Sequence, residues 1–317
     1  MSLSQFGYRY IYIVRVPNYN MKNKEIKCPN CKSSEVVKRG TFQTKAHGKQ
    51  QRYFCKNCNK KFIEKTPFYR MRNNPQKITL CLDLFFKGVS TRQIQEHLQQ
   101  FYPHNSSWVT IYNWVIRYSK QISRYTDKIK INVGKELQID EMEIGKRTSR
   151  YNGWFIDSID TKTRYMVASE FTKKRDLTEV KSVLSLAKSK TETQIEIVTS
   201  DGWLAYPKAI QKTFVLKEKS NTKKFGVIHN KICASQGEGF NYKIERLHNS
   251  VRQRIKVCRG FHGSVESANT LMKGYEVFYN FIRKHQSLKG KTPSELATNI
   301  KLNGNKWLDL IKLANQK

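Results

Sequence analysis

The sequence predicts an α/β fold, a mixed sheet flanked by helices, preceded by a small metal-stabilised module and a short helical segment. Three observations lead there. Two Cys-x-x-Cys pairs lie early in the chain, helical periodicity follows over residues 75–125, and strand-like and helical runs then alternate through residues 133–290. With 317 residues the chain has room for two or three domains with separate cores. The organisation read from composition is an extension (1–20), a cysteine-rich module (21–66), a helical segment (75–125), the α/β domain (133–290) and a single terminal helix (291–317).

Charge narrows the partner before any motif does. Lys and Arg number 59 against 25 Asp and Glu, a formal net charge of +34. Such an excess seeks a polyanion, and each phosphate neutralised on a long nucleic acid releases condensed counterions. Ribosomal and membrane-surface proteins share this property, so charge alone leaves those classes open. An aromatic content of 12% argues for a folded chain rather than a basic tail. Residues 8–14 are apolar but short, with no basic leader and no small-residue cleavage site; they read as an accessory strand or as sequence preceding a start at Met21. With no export signal and no spanning helix, a cytoplasmic protein with access to DNA is expected.

Cys28-Pro29-Asn30-Cys31 and Cys55-Lys56-Asn57-Cys58 present two thiolates each from a tight turn. Four such ligands suit tetrahedral zinc, and the strand-like runs between them suggest a hairpin. The reading is a zinc ribbon holding one structural Zn²⁺, with disulfides or a redox pair as the lesser alternatives. Four thiolates leave no open coordination position, so this zinc does no chemistry. Cys81, Cys233 and Cys258 lack paired spacing and read as small buried hydrophobes.

In the helical segment, Ser90-Thr91-Arg92-Gln93 fits a capping box, and Gly88 ends the helix before it. A third helix starts at Ser106 or Ser107 and carries Trp108, Ile111, Val115 and Ile122 on one face. Three helices in this order resemble a helix-turn-helix unit, with a plain three-helix linker as the alternative. Arg117 and Lys120 read as phosphate contacts in either case. The terminal helix opens at Thr292-Pro293-Ser294-Glu295, a second capping box.

In so basic a chain, acids set within apolar strands stand out. Leu137-Gln138-Ile139-Asp140-Glu141-Met142-Glu143-Ile144 reads as a strand with Asp140 near its middle. Two more strands follow over 154–160 and 164–171, then a helix from Asp176. The short run Ile195 to Thr199 delivers Asp201-Gly202 at its end, and Glu245 opens a long helix further on. Three antiparallel strands, a helix, a parallel strand and further helices is the order of the ribonuclease-H-like fold. That order sets Asp140 beside Asp201, with the helix of Glu245 packed alongside. Three carboxylates from separate elements suit two Mg²⁺ (or Mn²⁺) ions, which stabilise the attacking and leaving oxygens of an in-line phosphoryl transfer. Alternation along the strand turns Glu141 and Glu143 away from Asp140 and makes them the weaker ligand candidates. Local roles compete with this reading: Asp-Gly is a common turn, and Glu favours a helix start.

These residues resemble the DDE insertion-sequence transposases, in particular the insertion sequence six group. The likeness rests on Leu137 to Glu141, on Val198 to Ile210 with its Tyr206-Pro207-x-Ala209, and on Asn241-Tyr242-Lys243-Ile244-Glu245-Arg246-Leu247-His248; it runs on through Arg259-Gly260-Phe261, Gly274-Tyr275-Glu276 and Tyr279 to His285. It implies Asp140, Asp201 and Glu245 as the metal-binding triad of a transposase that nicks transposon ends and joins them to target DNA. It also implies work as a homodimer or larger assembly on double-stranded DNA. The stretch between Asp201 and Glu245 is longer than in that family, through an insertion around Lys217 to Gly239, which keeps Glu238 as a rival third acid. Arg246, Arg252, Arg254 and Lys256 make the glutamate helix basic, as DNA over the site requires. His248, one turn after Glu245, contacts the scissile phosphate, orients a ligand or packs as a structural histidine. Trp203 reads as core rather than as a base-stacking platform. A non-catalytic DNA-binding regulator and a metal-dependent nuclease of the same fold are the competing functions.

Overall fold

The computed structural model describes residues 26–102, 106–145, 153–217, 223–232, 241–258, 261 and 263–316. Residues 1–20, Cys233 and Glu238 lie outside them. Two compact units form, divided between Lys65 and Thr66.

In the first unit β1 (Val36–Thr44) pairs antiparallel with β2 (Gly48–Cys55), and β2 with β3 (Lys61–Ile63). Among its described residues only Cys28 and Cys55 are buried, so the hairpin has no apolar core to hold it. A ribbon of this kind depends on cross-linking through its cysteines, by metal or otherwise.

The second unit begins with three helices. α1 (Pro75–Phe86) starts on Pro75 behind Asn74, whose side chain accepts from the Lys77 amide at 2.7 Å. α2 (Thr91–Phe101) carries the capping box of Ser90 and Gln93, and α3 (Trp108–Thr126) is capped by Ser107. α3 buries Ile111, Val115, Tyr118 and Ile122.

The sheet follows. β4 (Glu136–Ile144), β5 (Gly153–Asp160) and β6 (Met166–Thr172) run antiparallel, α4 (Leu177–Lys190) crosses over, and β7 (Ile197–Ser200) returns parallel to β4. Next come α5 (Ala205–Thr213), the small pair β8 (Val215–Lys217) and β9 (Lys223–Phe225), and β10 (Ile228–Lys231). The sheet order is β10-β7-β4-β5-β6, with β10 parallel to β7. Three antiparallel strands with a parallel pair added at the first strand's other edge is the ribonuclease-H-like arrangement anticipated above. The edge strand β10 was not anticipated. Three of its four residues, His229, Asn230 and Lys231, are polar, as suits an edge strand with one side in water.

α6 (Tyr242–Cys258) and α7 (Val265–Val277) complete the layers. Gly274 in α7 is obligatory, since a Cβ there would collide with Ser119 of α3 and the ring of Phe86. The expected single terminal helix is instead two short ones, α8 (Pro293–Ala297), opened by the Thr292 capping box, and α9 (Lys306–Leu313). Asn305 caps α9, and Trp307 stacks on Phe86 while donating to Asp83 at 3.2 Å, which folds the chain end back onto α1. Among the described residues no helix is long and apolar enough to cross a membrane.

Candidate active site and zinc centre

Asp140 faces Asp157 across the β4–β5 register. β7 pairs with β4 only at Glu136 to Gln138, so the edge of β4 beyond Gln138 is open, and Asp201 follows the last residue of β7 there. One oxygen of each of Asp140, Glu141 and Asp201 lies within 4.8 Å of the others. Glu141 therefore joins the cluster, against the expectation from strand alternation. With no neighbouring strand on that edge, its longer side chain comes round to the acids. There it is held by Arg175 and by the hydroxyl of Tyr206.

Arg175 is itself clamped between aromatic rings, 4.2 Å from Trp203 and 4.9 Å from Trp154. Trp203 thus backs a cation beside the acids as well as packing against the core. Asp201 fixes its own turn by accepting from the Trp203 amide at 2.9 Å. Burial pushes Asp140 up to about 7; His248 pulls it back, and the nearby Glu141 charge adds to the rise. Such crowding of like charges is what a divalent cation relieves, and hard carboxylate oxygens are the donors Mg²⁺ prefers. The residues fit the metal.

Glu245 stands on the exposed side of the first turn of α6, outside the cluster of three. Two contacts place that turn beside β4. The Ile244 amide donates to Gln138 at 3.3 Å, and His248, one turn on from Glu245, has Nδ1 3.5 Å from Asp140 Oδ2. Residues three apart on a helix have Cβ atoms about 5–6 Å apart, so Glu245 is within one side chain's reach of this sheet edge.

Two residues expected to contact DNA held over the acids are instead buried and do not face that edge. His248 is 2% exposed and bonds Asp157 Oδ1 through Nε2 at 2.6 Å, so it packs between two carboxylates rather than facing a phosphate. Burial alone would lower its pKa; the charge and hydrogen bond of Asp157, with Asp140 behind them, raise it instead. Arg254 is also buried, stacked 3.8 Å over Phe85. It shares the inward side of α6 with Ile244, Leu247 and Val251. Arg246, Arg252, Lys256 and Arg117 are exposed as expected, and Lys120 is ion-paired with Glu266 at 2.6 Å. Asp157 was missed as a functional candidate. The available signal was its position opposite Asp140 in an otherwise apolar hairpin strand.

The four thiols of Cys28, Cys31, Cys55 and Cys58 converge within 4.8 Å, with Sγ–Sγ separations of 3.5 Å for Cys28–Cys58 and Cys31–Cys55. Tetrahedral Zn–S bonds of about 2.3 Å put sulfurs nearly 4 Å apart, close to this spacing. Lys32 and Asn59, each just after the second cysteine of its pair, adopt left-handed backbone, which closes both knuckles. The Cys31 amide lowers the Cys28 thiol to about 6, whereas Cys31, against the pull of the Ser33 amide, is raised to about 11 by burial and the neighbouring thiols, so the crowded set yields one ready thiolate. Cys81 is fully buried and pushed up to about 12 by that burial, an inert core thiol.

A family model described as a DDE domain matches residues 138–286, spanning all the acids above. Over these residues, a little under half of the chain, the sequence is similar to the DDE domain of transposases. Similar solved structures include the HTLV-2 integrase catalytic core domain in complex with magnesium in its dimeric form, at 16% identity and TM-score 0.36, covering 53% of this chain and 98% of that one. The trimeric form aligns at 15% identity and TM-score 0.37 over the same shares. The simian T-cell lymphotropic virus intasome in complex with PP2A regulatory subunit B56 gamma aligns at 11% identity and TM-score 0.39, covering 72% of this chain and 74% of that one. No curated protein matches the sequence.

Proposed function

We propose that this DDE protein is a DNA transposase that nicks transposon ends and transfers the freed 3′-hydroxyl into target DNA. The observation that carries the reading is the meeting of Asp140, from β4, and Asp201, from the end of β7, at one open sheet edge beside the first turn of α6.

Asp140, Asp201 and Glu245 are assigned as the metal ligands, with Glu245 turning inward from its exposed position. Two Mg²⁺ ions, when bound, would stabilise the entering and leaving oxygens of the phosphoryl transfer. The chain's own residues supply the rest. His248, fixed by Asp157, holds the Asp140 carboxylate in place. Arg175 and Tyr206 hold Glu141 as a charge at the rim of the cluster. Arg246, Arg252 and Lys256 on exposed α6, with Arg117 on α3, supply phosphate contacts along double-stranded DNA. The helices α1–α3 form a helix-turn-helix-like unit at 75–125 for reading transposon ends, and the ribbon at 21–66 holds one structural zinc. Joining two ends needs two such sites, hence a dimer or larger assembly on DNA. A DNA substrate implies work in the cytoplasm.

The test is an assay of purified full-length protein with Mg²⁺ or Mn²⁺ and labelled DNA bearing the flanking inverted repeats. Joined products are expected. Cleavage without joining would make the protein a nuclease, and binding without either would make it a regulator.

A further inference from the structure

We propose that a second anion site lies in the cleft between α1, α6 and α7, separate from the acids, and that it takes one nucleotide unit of a DNA strand, phosphate inward. This rests on the reading that the chain acts on DNA. Arg254 is its anchor. The residue is 8% exposed, yet among the described residues its guanidinium nitrogens meet no oxygen acceptor and no carboxylate, only the weakly accepting Cys258 sulfur beside them. Its polar neighbours are the Cys258 thiol and the Tyr275 hydroxyl, both pushed up by burial and therefore neutral. The Phe85 ring covers one face at 3.8 Å. A buried cation without an anion is destabilising, and an apolar residue of similar size is commonly tolerated better there. Its presence calls for an anion from outside.

The cleft supplies the room. It has a volume of about 720 Å³, within the usual range for small-molecule sites, and among the described residues no carboxylate lines it. Arg283 and Lys284 add positive charge at its wall, while Lys87 is engaged by Asp83 at 2.6 Å. Phe86 and Phe278, stacked 6.2 Å apart and almost wholly buried, give the cleft an apolar backing. Arg254 lies nine positions after Glu245. At 3.6 residues per turn they stand on opposite flanks of α6, so the cleft is not an extension of the acid cluster. The net charge of +34 favours a strand of nucleic acid over a free nucleotide as occupant.

The experiment uses the full chain and its Arg254→Met, Arg254→Lys and Lys301→Ala variants, Lys301 being an exposed control. Binding of a labelled 12-nucleotide single strand is followed against salt, and melting is followed with and without dTMP. Arg254→Met is expected to weaken oligonucleotide binding about tenfold or more and to lower the salt slope by about 1, with Arg254→Lys between it and wild type. The melting temperature of Arg254→Met should be unchanged or higher, and Lys301→Ala should bind within about twofold of wild type. Oligonucleotide binding equal to wild type in Arg254→Met, or a fall of many degrees in its melting temperature, overturns the site. A melting shift with dTMP in wild type alone, with unchanged oligonucleotide binding, gives the cleft to a free nucleotide and overturns the strand assignment. If wild type binds no oligonucleotide, the DNA reading itself fails; retained binding in Arg254→Met removes only this site.

Discussion

His248 Nε2 lies 2.6 Å from Asp157 Oδ1, inside the protein, and the other ring nitrogen faces Asp140. The ring is therefore fixed at one end by a carboxylate that has no access to DNA and is presented at the other to a carboxylate at the sheet edge. Partners behind a metal ligand typically contribute about 10–100-fold to metal affinity when removed. His248→Gln and Asp157→Asn should each raise the Mn²⁺ concentration for half-maximal binding, measured by calorimetry, by a factor in that range. Asp157→Ala should additionally destabilise the fold by about 3–5 kcal/mol, since it leaves a buried charge unpaired. Unaltered Mn²⁺ binding in a folded Asp157→Asn protein would show that the pair is structural only.

The third ligand is a choice between two residues at one edge. Glu141 is already saturated by Arg175 and Tyr206, whereas Glu245 is exposed on α6 and carries no such partners in the cluster. Glu245→Gln should reduce strand cleavage by about three orders of magnitude or more, as expected for loss of several kcal/mol of metal-borne stabilisation. Glu141→Gln should retain most cleavage, because its loss frees Arg175 rather than a metal. A reversed ranking in a gel-based cleavage assay would transfer the role to Glu141, and activity in both variants would point to Glu238.

Much of this was legible in the sequence because it is local. The apolar runs around Asp140 and before Asp201, the capping boxes of Ser90 and Thr292, and the paired cysteines all declare themselves within a few residues. What escaped depends on neighbours distant in the chain. Glu141 reaches the cluster only because β7 stops short along β4. Arg254 and His248 looked like two more basic residues on a basic helix, and only the packing of α6 against β4, β5 and α1 buries them. β10 escaped because an edge strand needs no alternating apolar pattern.

The ribbon should depend on its metal. With only Cys28 and Cys55 buried among its described residues, chelation of zinc or Cys28→Ser removes the cross-link that replaces a core. Limited proteolysis should then cut within residues 36–63 while the part of the chain from Thr66 onward stays resistant, and elemental analysis should find about one zinc per untreated chain. A ribbon that resists protease after verified zinc removal would overturn the assignment.

Acid stability offers a last test. His285 donates from Nε2 to the Tyr279 carbonyl at 3.1 Å and packs edge-on to that residue's ring. Burial, assisted by Arg283, lowers it to about 4 from an ordinary value near 6.5. Between these values the unfolded chain binds a proton that the folded chain refuses. The stability His285 supports is therefore full above about pH 6.5 and is lost as pH falls toward about 4. Since the ring is half-buried, about 1–2 kcal/mol is the reasonable size after solvent screening. His285→Gln keeps a donor for Tyr279 but cannot titrate. Between pH 7.5 and 4.5 the wild type should lose about 2–8 °C more in melting temperature than this variant. The general repulsion among surface cations acts on both proteins alike and cancels in the difference. Parallel melting curves across that range would mean that His285 accepts its proton without leaving its site.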